Sequence, residues 1–234
     1  MLLDTLRWPG VLALGAGVLM ASGSWESLLP DARTLEVART RFGPEAASRL
    51  LAWEREVRSL RQAPEEEKLG RINRFFNALP NVDDAVQWGR RDHWATPVEL
   101  LALNGGDCED FALAKYFSLK AAGVPVEKLR VTYVRAWLRR SARMEAHMVL
   151  AYYPEADGDP LILDNLMDDI LPAPRRTDLT PTMSFNAEGL WSARQRTQTG
   201  RSARVGEVSG IHHWNDLLAR MGQERDGAVS GGRP

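Results

Sequence analysis

The order of helical and strand patterns along the chain is the feature that most limits its fold. Apolar residues recur at helical spacing over 44–79 and again over 107–123, whereas 131–164 holds three runs of β-branched, aromatic and aliphatic side chains. The Asp157-Gly158 pair supplies a turn between the last two runs. Helices followed by consecutive strands predict an α+β chain, with N-terminal helices packed on an antiparallel sheet.

Two helices are predicted from Pro44 to Leu60 and, after a break at Pro64, from Leu69 to Leu79. The predicted strands are Val131–Leu138, Ala146–Tyr153 and Leu161–Asp164. The remaining segments are predicted to be an irregular stretch over Asn81–Asn104, a polar region beyond Pro172, and a short helix over Trp214–Met221.

The third predicted helix has clear ends. Asp107 follows the Asn104-Gly105-Gly106 turn and suits the N-cap, and Gly123 with Pro125 just beyond suits the C-terminus. Cys108 is then the first residue of the helix. It is the only cysteine among 234 residues, which excludes an internal disulfide and a multi-cysteine zinc site.

Cys108 is therefore either a small buried residue or a reactive thiol. At a helix N-terminus the unpaired backbone N–H groups and the helix dipole favour the thiolate. Of the four histidines only His147 lies inside a strand pattern. A hairpin turning near residue 157 would bring His147 close to Asp164, which could fix the imidazole tautomer. The alternative interpretation is a histidine satisfied in the core and an aspartate that only ends a strand.

Composition narrows the class of protein. With 30 basic and 31 acidic side chains and no basic run interleaved with aromatics, a nucleic-acid partner is not expected. The apolar run over 11–20, followed by the small residues 21–24, is typical of a secretory signal, although an N-terminal core helix or an uncleaved anchor would also fit. We predict a signal peptide over 1–23, one domain over 24–221 and a disordered tail over 222–234.

Several segments together resemble the bacterial transglutaminase-like cysteine peptidases, specifically the LapG-type periplasmic proteases. They are Asp92-His93-Trp94-Ala95-Thr96-Pro97, Gly105-Gly106-Asp107-Cys108-Glu109-Asp110-Phe111, Ala114-Lys115-Tyr116, Ala146-His147-Met148-Val149-Leu150, Leu163-Asp164-Asn165-Leu166, Ser184-Phe185-Asn186 and Gly189-Leu190-Trp191. The resemblance covers about residues 35–220. It implies a papain/transglutaminase-like fold.

The resemblance also implies an activity and partners. By analogy Cys108 is the nucleophile, His147 the general base and Asp164 the orienting carboxylate. The family resemblance further implies a periplasmic location, cleavage of a large surface adhesin near its N-terminus with dispersal of a biofilm, and capture of the protease by the periplasmic domain of an inner-membrane cyclic-di-GMP receptor. The oxyanion donors would be the Cys108 backbone N–H and a group from Trp88–Asn104. Trp94 would either line the cleft, engage the receptor or pack in the core.

Calcium is the expected cofactor. Asp107, Glu109 and Asp110 place three negative charges around Cys108, and like charges disfavour a thiolate. A hard cation bound by oxygen ligands would offset them. The resemblance implies calcium at Asp107 and Glu109, with Asp110 as a third candidate ligand. Capping of the helix is the alternative role for these carboxylates.

The residues leave two other functions open. A transglutaminase or amidase on the same scaffold would use the same three residues, with an amine resolving the thioester. A non-catalytic docking module would keep the helix and strands without the chemistry. The presence of Cys108, His147 and Asp164 together favours an enzyme.

Overall fold

The computed structural model of the protein describes residues 28–138, 142–156, 158–196, 202–225 and 228–229. Its α-helices in these ranges are α1 (Ala32–Phe42), α2 (Pro44–Leu60), α3 (Glu65–Asn77), α4 (Asp84–Gln87), α5 (Pro97–Leu103), α6 (Cys108–Ala121) and α7 (His212–Arg225). Its strands are β1 (Leu129–Leu138), β2 (Arg143–Tyr152), β3 (Leu161–Asp164), β4 (Met167–Pro172), β5 (Leu179–Asn186), β6 (Gly189–Arg196) and β7 (Ser202–Gly206).

The seven strands form one antiparallel sheet in the order β4-β3-β2-β1-β5-β6-β7. Helix residues and one face of the sheet share the main core, which includes Val131, Leu150 and Phe185. The other face carries a small separate apolar cluster that includes Val134 and Val149. Successive strand residues point to opposite faces of the sheet. The helices share a core with one of these faces, and the other face carries the smaller cluster. The predicted α+β architecture is confirmed.

Helix α6 is the centre of this packing. It contacts α2, α3 and α5 on one side and β1, β2 and β3 on the other, and almost all of its side chains are buried. Trp53 of α2 donates its indole N–H to Ser118 Oγ at 2.8 Å, which ties the two helices together inside the core. The N-terminus of α6, with Cys108, is thereby held against the sheet.

The strongly periodic segments were predicted closely. Helix α2 begins at Pro44, helix α6 begins at Cys108, and Gly123 follows α6 with φ of 85°. Such a positive φ is readily adopted by glycine. Strand β3 has the predicted bounds Leu161–Asp164. These elements carry their own start, stop and period signals, which is why sequence reasoning finds them.

The prediction of an irregular stretch over Asn81–Asn104 was wrong, since it contains α4 and α5. Helix α5 is too short to show a period, but it has a capping box in which Thr96 and Glu99 exchange hydrogen bonds around Pro97. That Thr-Pro-x-Glu pattern was the available signal. Strands β4 to β7 were also not predicted, because the many polar residues in these segments obscure a period of two.

Three features concern the chain ends and membranes. The predicted signal peptide over 1–23 lies outside the described residues. Helix α7 continues past the predicted end at Met221 to Arg225, and within the predicted tail Glu224 and Val229 are buried. Within the described ranges, no helix combines the length and apolar character needed to cross a membrane.

Glu224 anchors α7 and makes stability depend on pH. Its carboxylate accepts a hydrogen bond from Thr96 Oγ1 and lies beside Glu99, which is itself paired with Arg220. Burial, and then the charge of Glu99, raises the pKa of Glu224 from 4.5 to about 8. Between these values the folded protein keeps a proton that the unfolded chain releases, so this group lowers stability progressively as the pH rises from 4.5 to 8.

We therefore expect Glu224→Gln to stabilise the protein at pH 8 by about 2 kcal/mol and to have little effect near pH 4.5. Glutamine keeps an acceptor for Thr96 without a titrating charge. Thermal unfolding of both proteins across this pH range measures the difference. Glu36→Gln, at an exposed pair with Arg39, is the control and should change little. A Glu224→Gln effect that is the same at every pH would contradict the argument.

Candidate active site

The start of helix α6 is built by a compact turn. Asp107 is the N-cap, and Asp110 Oδ2 accepts the Asp107 backbone N–H at 3.2 Å, which closes a capping box. A Cβ on Gly106 would collide with the Asp110 carboxylate and with Leu100, so only glycine fits at this position. These contacts fix the backbone at the start of α6, and so they fix the direction in which the Cys108 side chain projects from the helix.

Cys108 is half-buried at the first position of α6. Its thiol donates to Glu109 Oε2 at 3.1 Å, and the backbone N–H of Met148 is directed at Sγ. Burial, and then the neighbouring carboxylates of Glu109 and Asp107, raises the pKa of Cys108 well above that of a free thiol, against a smaller opposite effect of the Met148 N–H. The thiol is therefore protonated and bonded to Glu109 in this structure.

His147 and Asp164 are brought together as expected from the strand pattern. Their Nε2 and Oδ1 atoms are 2.8 Å apart, and both residues are buried. The β2–β3 ladder pairs Leu150 with Leu163, so the two side chains meet as diagonal neighbours on one face of the sheet. An ionised Asp164 accepts the Nε2 proton, which assigns the tautomer and leaves the lone pair on Nδ1.

The strand of His147 passes beside the nucleophile, because the backbone N–H of the next residue, Met148, is directed at Cys108 Sγ. Among the described residues no hydrogen bond joins Cys108 to His147. The thiol instead bonds to Glu109. The structure thus brings the strand of His147 to Cys108 and shows direct contact for the His147–Asp164 pair.

The Asp164 carboxylate is bonded on both oxygens. Oδ1 also accepts the Leu166 N–H at 3.0 Å, and Oδ2 accepts Arg176 Nη2 at 2.7 Å. Burial alone would raise the pKa of Asp164, but the hydrogen bonds and charges of His147 and Arg176, with the Leu166 N–H, outweigh it and hold the pKa well below its usual range. Asp164 is therefore ionised across the physiological pH range.

The backbone that carries Asp164 is held from the helical side. Asn77, the last residue of α3, donates Nδ2 to the Asp164 carbonyl at 2.9 Å and to Asp168 Oδ1 at 2.8 Å. Lys115 of α6 donates Nζ to Asn77 Oδ1 at 2.6 Å. Burial lowers the pKa of Lys115 to about 7. This chain of contacts joins the helix that bears Cys108 to the strand end that bears Asp164.

Four acidic side chains surround the start of α6. Oxygens of Asp84, Asp107 and Asp110 lie within 4.8 Å of one another, and a second group joins Asp107 and Glu109 with the Cys108 thiol. All three predicted ligands therefore lie in this cluster. Asp84 Oδ1 and Asp107 Oδ1 are buried with no hydrogen-bond partner in the described structure. Such oxygens normally have partners, and oxygen-only clusters suit Ca²⁺, so the donor set fits this ion.

Burial and mutual repulsion disfavour the ionised form of the carboxyl groups in this cluster. Burial, and then the carboxylates of Glu109 and Asp110, raises the pKa of Asp107 to about 10. Burial likewise raises the pKa of Asp84 and of Asp110. Asp110 already accepts backbone N–H groups of Ala95 and Asp107, so it has the fewest free lone pairs of the set.

Trp94 belongs to the core. It is 1% exposed and stacks on Phe185 with ring centroids 5.5 Å apart, and its indole N–H donates to Asp92 Oδ1 at 3.2 Å. Of the roles considered for Trp94, packing is the one the structure shows. The indole N–H is already bonded within the protein.

Sequence reasoning missed three residues of the site. Asp84 lay in a stretch without periodicity, Arg176 in a polar region, and Asn77 in an amphipathic helix that predicted only core packing. No local pattern marked Arg176 or Asn77. Their roles arise from contacts with Asp164, 12 and 87 residues away in sequence.

Comparison with known proteins identifies a family and a similar solved structure. The family model for bacterial transglutaminase-like cysteine proteinases matches residues 45–188. The solved structure of Legionella pneumophila LapG is 38% identical, with a TM-score of 0.68, and the match covers 81% of this chain and 94% of that one.

Two further structures of Legionella pneumophila LapG match. The EGTA-treated form is 39% identical with a TM-score of 0.69, covering 81% of this chain and 96% of that one. The calcium-bound form is 38% identical with a TM-score of 0.67, covering 81% and 97%. Comparison with curated protein sequences gives no match. From the family match and the shared fold, the chain belongs to the bacterial transglutaminase-like cysteine proteinases.

Proposed function

We propose that this chain is a calcium-dependent periplasmic cysteine endopeptidase that cleaves the N-terminal region of a large surface adhesin, releases it and so disperses a biofilm. One observation carries the proposal: Cys108 begins a buried helix beside the strand of His147, whose Nε2 is 2.8 Å from the buried carboxylate of Asp164. Membership of a cysteine proteinase family supports the chemistry. The resemblance to LapG-type proteases supports the substrate.

In the proposed reaction His147 Nδ1 takes the thiol proton of Cys108, and the thiolate attacks the scissile carbonyl. The Cys108 backbone N–H at the helix start stabilises the oxyanion. Collapse of this intermediate breaks the C–N bond, and His147 gives its proton to the leaving amine. Water, deprotonated by His147, then hydrolyses the thioester and regenerates the thiol. Asp164 holds the Nε2 proton throughout and remains ionised.

Asp107 and Glu109 are the residues that would hold calcium, with Asp110 as a third candidate ligand and Asp84 as a further carboxylate clustered with Asp107 and Asp110. Calcium held there would supply positive charge beside the nucleophile and would fix the geometry of the helix start. Glu109, once engaged as a ligand, would no longer accept the hydrogen bond from the Cys108 thiol. The thiol would then be free to donate to His147.

Export and capture by a receptor complete the proposal. The N-terminal apolar run followed by small residues supports a periplasmic location. The mass of the protein recovered from periplasm should correspond to a chain beginning at Ser22–Ser24, and an intact Met1 would count against cleavage. The resemblance supports an inner-membrane cyclic-di-GMP receptor, whose purified periplasmic domain should slow the protease.

The function is tested by incubating the purified protein and calcium with an N-terminal adhesin fragment that contains a pair of alanines, the kind of small-residue site that the family resemblance implies. We expect two discrete products whose masses add to that of the fragment plus one water. Covalent products that grow when a primary amine is added would instead indicate acyl transfer. An unchanged fragment in both conditions, with binding retained, would indicate a docking module and refute the proposal.

A further inference from the structure

Arg176 is the one cation in direct contact with the carboxylate of the His147–Asp164 pair among the described residues. Its Nη2 atom is 2.7 Å from Asp164 Oδ2, on the side of the carboxylate opposite to His147. The Arg176 side chain is 3% exposed and that of Asp164 is fully buried. Charge-assisted hydrogen bonds in such dry surroundings are among the strongest in proteins.

Arg176 is itself held in place. Nε and Nη2 donate to the two carboxylate oxygens of Asp178 at 3.0 and 2.7 Å. The Arg176 backbone N–H bonds to the Ala173 carbonyl at 3.0 Å, and the Asp178 carbonyl accepts the Trp137 N–H of strand β1 at 2.8 Å. The guanidinium therefore has a fixed position relative to the sheet that carries His147.

The arrangement is not the one that stability alone would favour. Arg176 Nη1 is buried and has no partner within the described structure, a cost that an apolar residue would avoid. The proposed mechanism also needs Asp164 in its ionised form, because Asp164 accepts the hydrogen bond from His147 Nε2. A carboxylate buried beside a neutral imidazole, with no cation near it, would be expected to take up a proton and lose its role as acceptor.

We propose that Arg176 is a positioning residue for catalysis, which keeps Asp164 ionised and oriented so that Asp164 in turn holds His147. This inference rests on the proposed function for its biological meaning, and it acts entirely through Asp164. The functional unit is then Cys108, His147, Asp164 and Arg176.

The test is a double-mutant cycle of Arg176→Gln and Asp164→Asn in the full chain with calcium present. The readout is the rate at which iodoacetamide alkylates Cys108, which is unambiguous because the chain has one cysteine and which needs no substrate. We expect each single variant to slow alkylation by about tenfold or more and the double variant to be no slower than Asp164→Asn. Multiplicative losses would overturn the inference.

Further variants separate positioning from folding. Arg176→Lys keeps the charge without the planar fork and should recover part of the rate. Arg71→Gln, which removes a bidentate pair with Glu56 far from the site, is the matched control and should alkylate like wild type. If Arg176→Gln does not fold, Arg176→Lys enters the same cycle, and additivity there would again overturn the inference.

With the adhesin fragment as substrate, the variants of the same cycle should have a lower kcat and a KM within about threefold of wild type, because the buried Arg176 acts through Asp164. A loss confined to KM would overturn the positioning role. If the wild type alkylates rapidly and the cycle is non-additive but the fragment is not cleaved, the proposed substrate is wrong and the role of Arg176 stands.

Discussion

Replacing Cys108 with alanine is expected to abolish cleavage of the adhesin fragment, a fall of at least about 10⁴-fold in kcat/KM. No other thiol in the chain can form the thioester, because Cys108 is the only cysteine. Alanine removes one half-buried sulfur and leaves the Asp107–Asp110 capping box intact, so the fold should persist. Product formation followed by mass spectrometry, with thermal unfolding as a check on folding, makes the measurement.

The other two members of the proposed triad give a graded comparison. His147→Ala should be as damaging as Cys108→Ala, since it removes both the base and the acid that protonates the leaving amine. Asp164→Asn should leave a small residual activity, because Asp164 orients the base and exchanges no proton. Glu36→Gln, at an exposed helix pair, is a surface control with normal cleavage expected. Near-normal cleavage by Cys108→Ala would refute the cysteine mechanism altogether.

Removing calcium is expected to have the second largest effect, with cleavage lost in excess chelator and restored when calcium is added back. The Cys108 thiol donates to Glu109, and burial together with the carboxylates of Glu109 and Asp107 raises its pKa and so opposes its ionisation. Calcium should also raise the unfolding temperature, because a ligand that binds only the folded state stabilises it. That second readout is independent of activity.

Variants of the acidic cluster locate the ion. Asp107→Ala should lose both the calcium-dependent rise in unfolding temperature and the activity, since Asp107 belongs to both groups of clustered oxygens. Comparison of Glu109→Ala with Asp84→Asn then shows which of the two groups of ligand atoms binds calcium. Glu67→Ala, in an exposed acidic turn of α3, is the control and should respond to calcium like wild type. Full activity in chelator, or in both Asp107→Ala and Glu109→Ala, would refute the calcium site and leave helix capping as the role of these carboxylates.

The sequence by itself determined the elements that carry the chemistry. Asp107 and Gly123 mark the ends of α6, so Cys108 could be placed at a helix start, and a run of β-branched, aromatic and aliphatic residues placed His147 on a strand. These signals are local, because capping, glycine conformation and periodicity depend on residues only a few positions apart. The acidic residues around Cys108 were visible for the same reason.

The tertiary structure alone decided which distant groups join them. Asp84 reaches the start of α6 because α4 folds back beside it, Arg176 meets Asp164 because the β4–β5 connection crosses behind β3, and Asn77 bonds to the Asp164 backbone because α3 packs on the sheet edge. Trp94 lies in the core for the same reason, since its ring stacks on Phe185 of β5. Such contacts depend on how the elements pack, and an amphipathic pattern specifies a buried face without specifying the partner that covers it.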